Sequence, residues 1–408
     1  DCGSNRCGKT TKTTETTEVT KATERTGKGG PAVRLRVERE VFAEAVAWAA
    51  RALPVRPSQP VLAGLLSQAE GSSLRLSGFG YEVSAKVEVP AEVSEEGTVL
   101  VSGRLLADIA RTLPNEPVQL ATVDAKVTLT CGPARFSLLT LPLDEYPQLP
   151  PMPPATGSIP GDLLAHVVAQ VQVAAGRDDT LPALTGVRIE IEGERVTLAA
   201  TDRYRLAVRE LTWAPEQSGQ SAVALVPARP LLDTARALAS ADKVTVGLSP
   251  AGVGEAMVGF EGNGRRTTQR LLDGEFPKYR ALLPETSSST AVIAAAALLE
   301  ALRRVSVVAE RNTPIRLTVR EGTLQLDAGS GDEAQASELV DAVVSGEGLT
   351  IAFNPAYLHD GVAAVDTPYV SLAFTGPTRP AVISGAADPQ GPADESYRYL
   401  LMPVRIAG

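Results

Sequence analysis

The sequence predicts an α+β chain of three similar domains, each with two helices packed on antiparallel sheets. Three observations carry that expectation. An amphipathic helix followed by short alternating strands occurs three times along the 408 residues. A second pattern, a strand end, a small-residue turn and another helix, also occurs three times and aligns without gaps. The second pattern recurs about every 125 residues, far beyond the roughly 20 to 50 residue period of a solenoid or propeller blade, so each unit is a whole domain. The domain limits read as 31–153, 154–284 and 285–408, each unit near the usual domain size.

Taken in order, residues 1–30 are Thr, Lys, Glu and Gly with almost no apolar side chain, and read as a disordered tail that cannot offset its ordering entropy. Within them Gly3 to Thr10, "GSNRCGKT", fits the phosphate-binding pattern of Gly, four residues and Gly-Lys-Thr. That loop needs a buried strand before it and a helix after it. The run that follows is β-branched and charged with no apolar helical face, so a nucleotide-binding enzyme is the weaker reading. The first domain has a helix over Val41 to Leu53, strands over Val61 to Val89, and "VSGRLLADIARTL" from Val101. The second has Leu163 to Ala175, Leu184 to Leu211 and "VPARPLLDTARAL" from Val226. The third has Leu298 to Ala309, Ile315 to Val340 and "FNPAYLHDGVAAV" from Phe353. The strand stretches alternate Val, Leu, Ile and Thr with polar residues, as half-buried strands do.

An apolar fraction of 44% and a charged fraction of 21% are those of a soluble globular chain, and 4% aromatic residues imply cores of Leu, Val and Ala. No apolar run approaches the roughly 18 residues of a membrane span. Cys2, Cys7 and Cys131 leave one thiol unpaired and lack zinc spacing, and no secretory series opens the chain, so a reducing cytoplasm is expected. The net charge of -9 argues against tight non-specific DNA binding through cations, but not against DNA held by topology.

No residue set calls for a cofactor, a metal or catalysis. His166 and His359 fall in predicted helices away from any nucleophile setting. The run Arg177 to Asp179 and the lone Asp202 read as turn or cap residues.

The segment "LAATDRYRLAVRE", Leu198 to Glu210, together with "YRYLLMPVRI", Tyr397 to Ile406, closely resembles the bacterial DNA polymerase III beta subunits, the replicative sliding clamps. The likeness spans about 375 residues and includes "GRDDTLPALTGV" at Gly176 and "LLDGEFPKYRALLP" at Leu271. Arg203-Tyr204 looks like the form found in high-GC Gram-positive bacteria. The resemblance implies a head-to-tail dimeric ring lined by helices, which encircles duplex DNA without regard to sequence and confers processivity on the replicative polymerase. A clamp-loader ATPase and other clamp-binding peptides are implied as partners, and no catalytic site.

Carried over position by position, Arg56, Arg104, Arg177, Pro182 and Ala183 match DNA-contacting places, the last two standing where some relatives have tyrosines. Arg51, Arg111, Arg236, Arg303 and Arg304 lie on the helices that would line the hole, while Glu192 and Glu194 fall in strands or their connections. A partner-peptide pocket between the second and third domains is implied at Leu184, Thr201, Arg203, Tyr204, Arg205, Leu206, Pro277, Leu282, Thr378, Pro380, Leu400, Leu401, Met402, Pro403, Val404 and Arg405. The ring seam is implied at Phe136 and Leu138 of one chain against Ser306 and Val307 of the other. Ser306 replaces an apolar residue there, which keeps a monomeric peptide-binding scaffold as the alternative.

Overall fold

The computed structural model describes residues 33–249, 255–309, 313–329 and 334–405. The Thr-rich tail, the Gly3 to Thr10 loop, Cys2 and Cys7 lie outside them.

Six helices occupy the predicted places: α1 (Arg39–Ala50), α2 (Gly103–Thr112), α3 (Gly161–Gln172), α4 (Ala228–Ala237), α5 (Ala295–Val305) and α6 (Pro355–Ala363). The first helix of each pair starts two or three residues before the expected residue. Apolar spacing marks the buried face, Phe42, Ala45, Val46 and Ala49 in α1, whereas the first turn of a helix can be polar because its N–H groups have no intrahelical partner. The other ends are shorter than expected. The amides of Ala52 and Leu53 reach back only three residues, to Ala49 and Ala50, and Ala174 and Ala175 do the same after α3. After α5 a separate 3₁₀ turn covers Ser306–Val308. Apolar residues at these ends continue the helical pattern into tighter turns. Among the described helices only α6 is capped by a side chain, Asn354 Oδ1 accepting from the amides of Ala356 and Tyr357 ahead of Pro355.

The helices pack in pairs, α1 on α2, α3 on α4 and α5 on α6. The first of each pair also lies on two strands of its own unit: Ser73–Phe79 and Val83–Pro90, Arg195–Thr201 and Arg205–Thr212, Thr323–Ala328 and Ala336–Gly346. In the second unit the start of α3 meets the end of α4 closely enough that a Cβ on Gly161 would collide with the Leu238 carbonyl, so only glycine fits.

Three antiparallel sheets of five, nine and twelve strands carry these helices. The larger two cross from one unit to the next. Arg265–Arg270 pairs with Val83–Pro90, joining the second unit to the first, and Arg205–Thr212 pairs with Ala393–Leu401, joining it to the third. The first junction is polar inside: Ser84 Oγ and Thr268 Oγ1 are 2.6 Å apart, and Gln269 Nε2 donates to Thr234 Oγ1 at 2.8 Å. The second is aromatic and apolar, with Tyr397, Tyr399, Leu206 and Val208 buried across the paired strands.

Candidate functional site

The turn between Arg195–Thr201 and Arg205–Thr212 is built by its own polar side chains. Asp202 Oδ1 accepts from the amides of Tyr204 and Arg205, at 3.0 and 3.1 Å. Thr201 Oγ1 accepts from the Arg203 amide at 3.2 Å and donates to the Arg205 carbonyl at 2.7 Å. Asp202 is therefore a turn residue, as its sequence context suggested. Arg203 at the tip has a φ of 79°, which sends Tyr204 outward and Arg205 inward.

Arg205 is 5% exposed and ties the second unit to the third. Its guanidinium donates from Nε to Asp202 Oδ2 at 2.9 Å and from Nη1 to Asp360 Oδ2 on α6 at 2.6 Å. It also donates to Tyr399 Oη at 3.3 Å and lies 4.1 Å over the Tyr357 ring. Burial by itself would lower its pKa, but Tyr399, Asp360 and Asp202 together hold it above the ordinary value, so the charge is permanent. Tyr399 Oη donates in turn to the Tyr357 carbonyl at 2.9 Å.

Around this clasp lies a cavity of about 490 Å³ lined by Leu184, Arg203, Tyr204 and Arg205 from the expected pocket, by Arg177, and by Tyr357 and Asp360 of α6. Its opposite wall is the loop after α3, closed by the Gly176 amide donating to the Leu184 carbonyl at 2.7 Å. Tyr204 and Tyr357 stack across the junction with centroids 6.4 Å apart. Sequence reasoning missed Tyr357 and Asp360, because nothing in the "FNPAYLHD" run distinguishes a helix residue facing another domain from one facing solvent.

Beside the cavity, Ala199, Leu206, Val208, Leu225, Phe276, Tyr279 and Leu400 form a separate apolar cluster, with Ala183 and Leu283 at its margin. The segment carrying Pro277 and Leu282 is pinned to it through buried Glu190, which accepts from Tyr279 Oη at 3.0 Å and pairs with Arg280 at 2.6 Å and Arg188 at 2.6 Å. Burial pushes the Glu190 carboxyl up, and the hydrogen bonds from Arg188 and Tyr279 with the nearby Arg280 charge outweigh it, leaving the pKa below 4.5. Leu282 and Met402 are exposed, and the Met402 amide donates to the Tyr204 carbonyl at 2.9 Å. Pro403 is half-buried, Val404 and Arg405 are exposed, and the Val404 amide donates to the Ala352 carbonyl. Pro277 is half-buried, and exposed Thr378 with half-buried Pro380 lies in the turn after Tyr369–Phe374, away from the cavity wall.

The expected pocket residues divide by burial. Thr201 is buried, Leu206 and Leu400 are buried in the apolar cluster beside the cavity, and Leu401 is 0% exposed in the main core. Alternation along the strand turns Leu400 and Leu401 to opposite faces, which a reading of 400–405 as one contact run overlooked.

The DNA-facing candidates fall at two places, Arg56 with Arg104 near Pro54, and Arg177, Pro182 and Ala183 on the loop after α3. Arg56 and Pro182 are exposed, Ala183 leans on the apolar cluster, and Arg177 belongs to the cavity wall. Arg104 donates to the Pro54 carbonyl at 2.8 Å. On the helices Arg111 pairs with Asp108, Arg304 with Glu338 and Glu300, and Arg51 donates to the Asp233 carbonyl of α4. Among the described residues Arg56, Arg236 and Arg303 make no ion pair. Glu192 and Glu194 are exposed, at a strand end and the turn after it.

The seam candidates also divide. Phe136 is half-buried against the core and Val307 is 83% exposed, with Ser306 half-buried beside it. Leu138 is 3% exposed and packs into the first unit, so it is a core residue; its neighbour Leu139 is 68% exposed on the outermost strand of the five-stranded sheet. Leu339, exposed on Ala336–Gly346, is a second apolar group the sequence reading did not single out. Alternation from Phe136 would have found Leu139, since it places residues 135, 137 and 139 on the other face.

His166 Nε2 lies 2.7 Å from Asp366 Oδ2, another tie between α3 and the third unit, and His359 makes no ion pair among the described residues. No group of three or more His, Cys, Asp or Glu among the described residues is placed to hold a metal. No described helix is long and apolar enough to cross a membrane.

Comparison with known proteins matches each unit separately. Residues 33–150 match the N-terminal domain of the DNA polymerase III beta subunit, residues 158–278 its central domain and residues 280–405 its C-terminal domain. A beta sliding clamp of Streptomyces coelicolor is 60% identical over 376 residues, covering 92% of this chain and 100% of that protein. One of Micrococcus luteus is 49% identical over 308 residues, covering 76% of this chain and 98% of that one. Among solved structures, a Bacillus subtilis sliding clamp superposes with a TM-score of 0.84 at 25% identity, covering 92% of this chain and 100% of that chain. A Pseudomonas aeruginosa sliding clamp bound to griselimycin also gives 0.84, at 27% identity and 93% and 100% coverage.

Proposed function

The chain belongs to the DNA polymerase III beta subunit family, and from that premise we propose that two copies close head to tail into a ring that encircles duplex DNA and gives the replicative polymerase its processivity. The observation that carries this reading is that all three units match, in order, with a cavity at the junction of the second and third where a partner peptide would dock. The proposed domains are 31–153, 154–284 and 285–408. Head-to-tail contacts are heterologous and close into a ring when the rotation between copies allows it. Exposed Leu139 in the first unit and exposed Val307 and Leu339 in the third are apolar groups available for such a seam.

The mechanism is physical, and the ring makes and breaks no bond of its own. A polymerase bound through the pocket to a ring that cannot leave the duplex keeps a high effective concentration at the primer end, so each dissociation is followed by rapid return. The net charge of -9 suits this arrangement, because DNA held by topology needs only weak, mobile contacts, which the unpaired Arg56, Arg236 and Arg303 can supply. A closed ring must be opened to admit DNA, which implies a clamp-loading ATPase as partner, and other peptides would share the pocket. The cytoplasm, at the nucleoid, is the compartment that fits.

Retention on nicked circular DNA after loading, followed by linearisation, tests encirclement. A ring slides off the cut molecule; equal retention on both forms, or none on the circle with a competent loader, refutes it.

A further inference from the structure

Lys86 lies on Val83–Pro90, the strand through which the second unit joins the first, and the residue directly opposite it across that junction is Arg266. Like charges facing each other on paired strands destabilise a sheet. Ala85 and Val87 are buried in the core, so alternation turns Lys86 to the other face. There it lines a cavity of about 410 Å³ with Gln68, Ser77, Thr98 and Tyr146.

The carboxylates of this face are held by other side chains. Glu88 Oε2 accepts from Arg75 Nη2 at 3.1 Å, and the two Glu261 oxygens accept from Arg266 Nη2 at 2.9 and 3.1 Å. Glu88 and Glu261 still attract Lys86 through space, but burial, Arg75 and Arg266, in that order, outweigh them and hold the amine below the ordinary lysine value of 10.5. Among the described residues Lys86 makes no ion pair. It is half-buried, whereas Lys126, Lys243 and Lys278 are exposed. A lysine so placed is neutral more often than an ordinary lysine at the same pH, and only the neutral amine is a nucleophile.

We propose that Lys86 is an acylation site, modified directly by small acyl phosphates that enter this cavity. The neutral Nζ attacks the acyl carbon, the N–C bond forms and the C–O bond to phosphate breaks. Phosphate leaves with the bonding pair, and the surplus Nζ proton passes to solvent. The cavity admits a short acyl group together with its phosphate. The product is a neutral amide, which removes the charge facing Arg266 and leaves the first junction without its like-charge pair.

The test incubates the full chain with acetyl phosphate and follows each lysine by peptide mass spectrometry. At about pH 7.5 the initial rate at Lys86 is expected to exceed those at Lys126, Lys243 and Lys278 by about threefold. The excess should shrink as the pH is raised toward 10.5, where ordinary amines also lose their protons. In the chain unfolded in urea the four lysines should react alike. In Arg266→Gln, which removes one opposing cation and frees Glu261 from its pair, the Lys86 rate should fall toward the others. Lys86 reacting no faster than the exposed lysines overturns the inference. An excess that is unchanged at high pH, in urea or in Arg266→Gln overturns it too.

Discussion

Arg205→Met removes the only side chain that bridges the turn of the second unit and α6 of the third through two carboxylates among the described residues. Its magnitude follows from what is left behind. Replacing a whole buried ion pair by apolar groups is often neutral, but removing one partner strands the other, at about 3–5 kcal/mol when the site is fully enclosed. Asp202, 13% exposed, is stranded in that sense. Asp360, 38% exposed, regains water, so its share is discounted as for a surface pair. The sum is a loss of about 2–4 kcal/mol, with Met restoring part of the packing against Tyr357 and Tyr399. Urea unfolding followed by circular dichroism should show the midpoint falling. Asp360→Asn, which retains an acceptor at a partly hydrated position, should cost about 1 kcal/mol or less. Binding of a peptide with one Gln and two bulky apolar residues should weaken in Arg205→Met, since Tyr357 and Tyr204 lose the group that sets their spacing. An Arg205→Met chain that unfolds at the parent's urea concentration, or an Asp360→Asn chain that loses as much, would refute the clasp.

Leu138→Ala should destabilise the chain by about 3 kcal/mol through a core cavity without dissociating the dimer, whereas Leu139→Asp should leave the melting temperature of the monomer intact and yield monomers by light scattering. The Glu190 carboxyl has a folded-state pKa below its ordinary 4.5, so its contribution is complete above that value and is lost as the pH falls below it toward the folded pKa. Melting temperatures measured across acidic pH should therefore drop more steeply in the parent than in Glu190→Gln. Met402→Ala should abolish polymerase stimulation in a primer-extension assay while light scattering still finds a dimer. Deletion of residues 1–30 should leave stimulation unchanged, and its loss would revive the nucleotide-loop reading of Gly3 to Thr10.

The pocket shows where sequence reasoning reaches and where it stops. "LAATDRYRLAVRE" marked Thr201 to Leu206 as a segment, and Asp202 as a turn former, because Asx turns are written in four or five adjacent residues. Which of those side chains faces a ligand was not written there. Arg205 and Tyr204 are neighbours, yet the charged one is enclosed and the aromatic one exposed, because a partner of Arg205 is Asp360, 155 residues away. Leu400 with Leu401, and Leu138 with Leu139, repeat the lesson: each pair reads as one apolar patch, and the pleat divides it between two faces.

By itself the sequence determined the three units, their six helices and their strand-rich remainder, since helical and strand periodicity are local properties of a side-chain pattern and turn chemistry lies within a few residues. It also determined the family, through motifs spread over the whole chain. Only the tertiary structure decided that the units are joined by sheets crossing both junctions, that a polar seam closes the first and an arginine clasp the second, and that a cavity opens beside that clasp. Those features depend on pairings between strands more than a hundred residues apart, where backbone hydrogen bonds carry no residue-type signature and one step of alternation decides which side chain meets a partner.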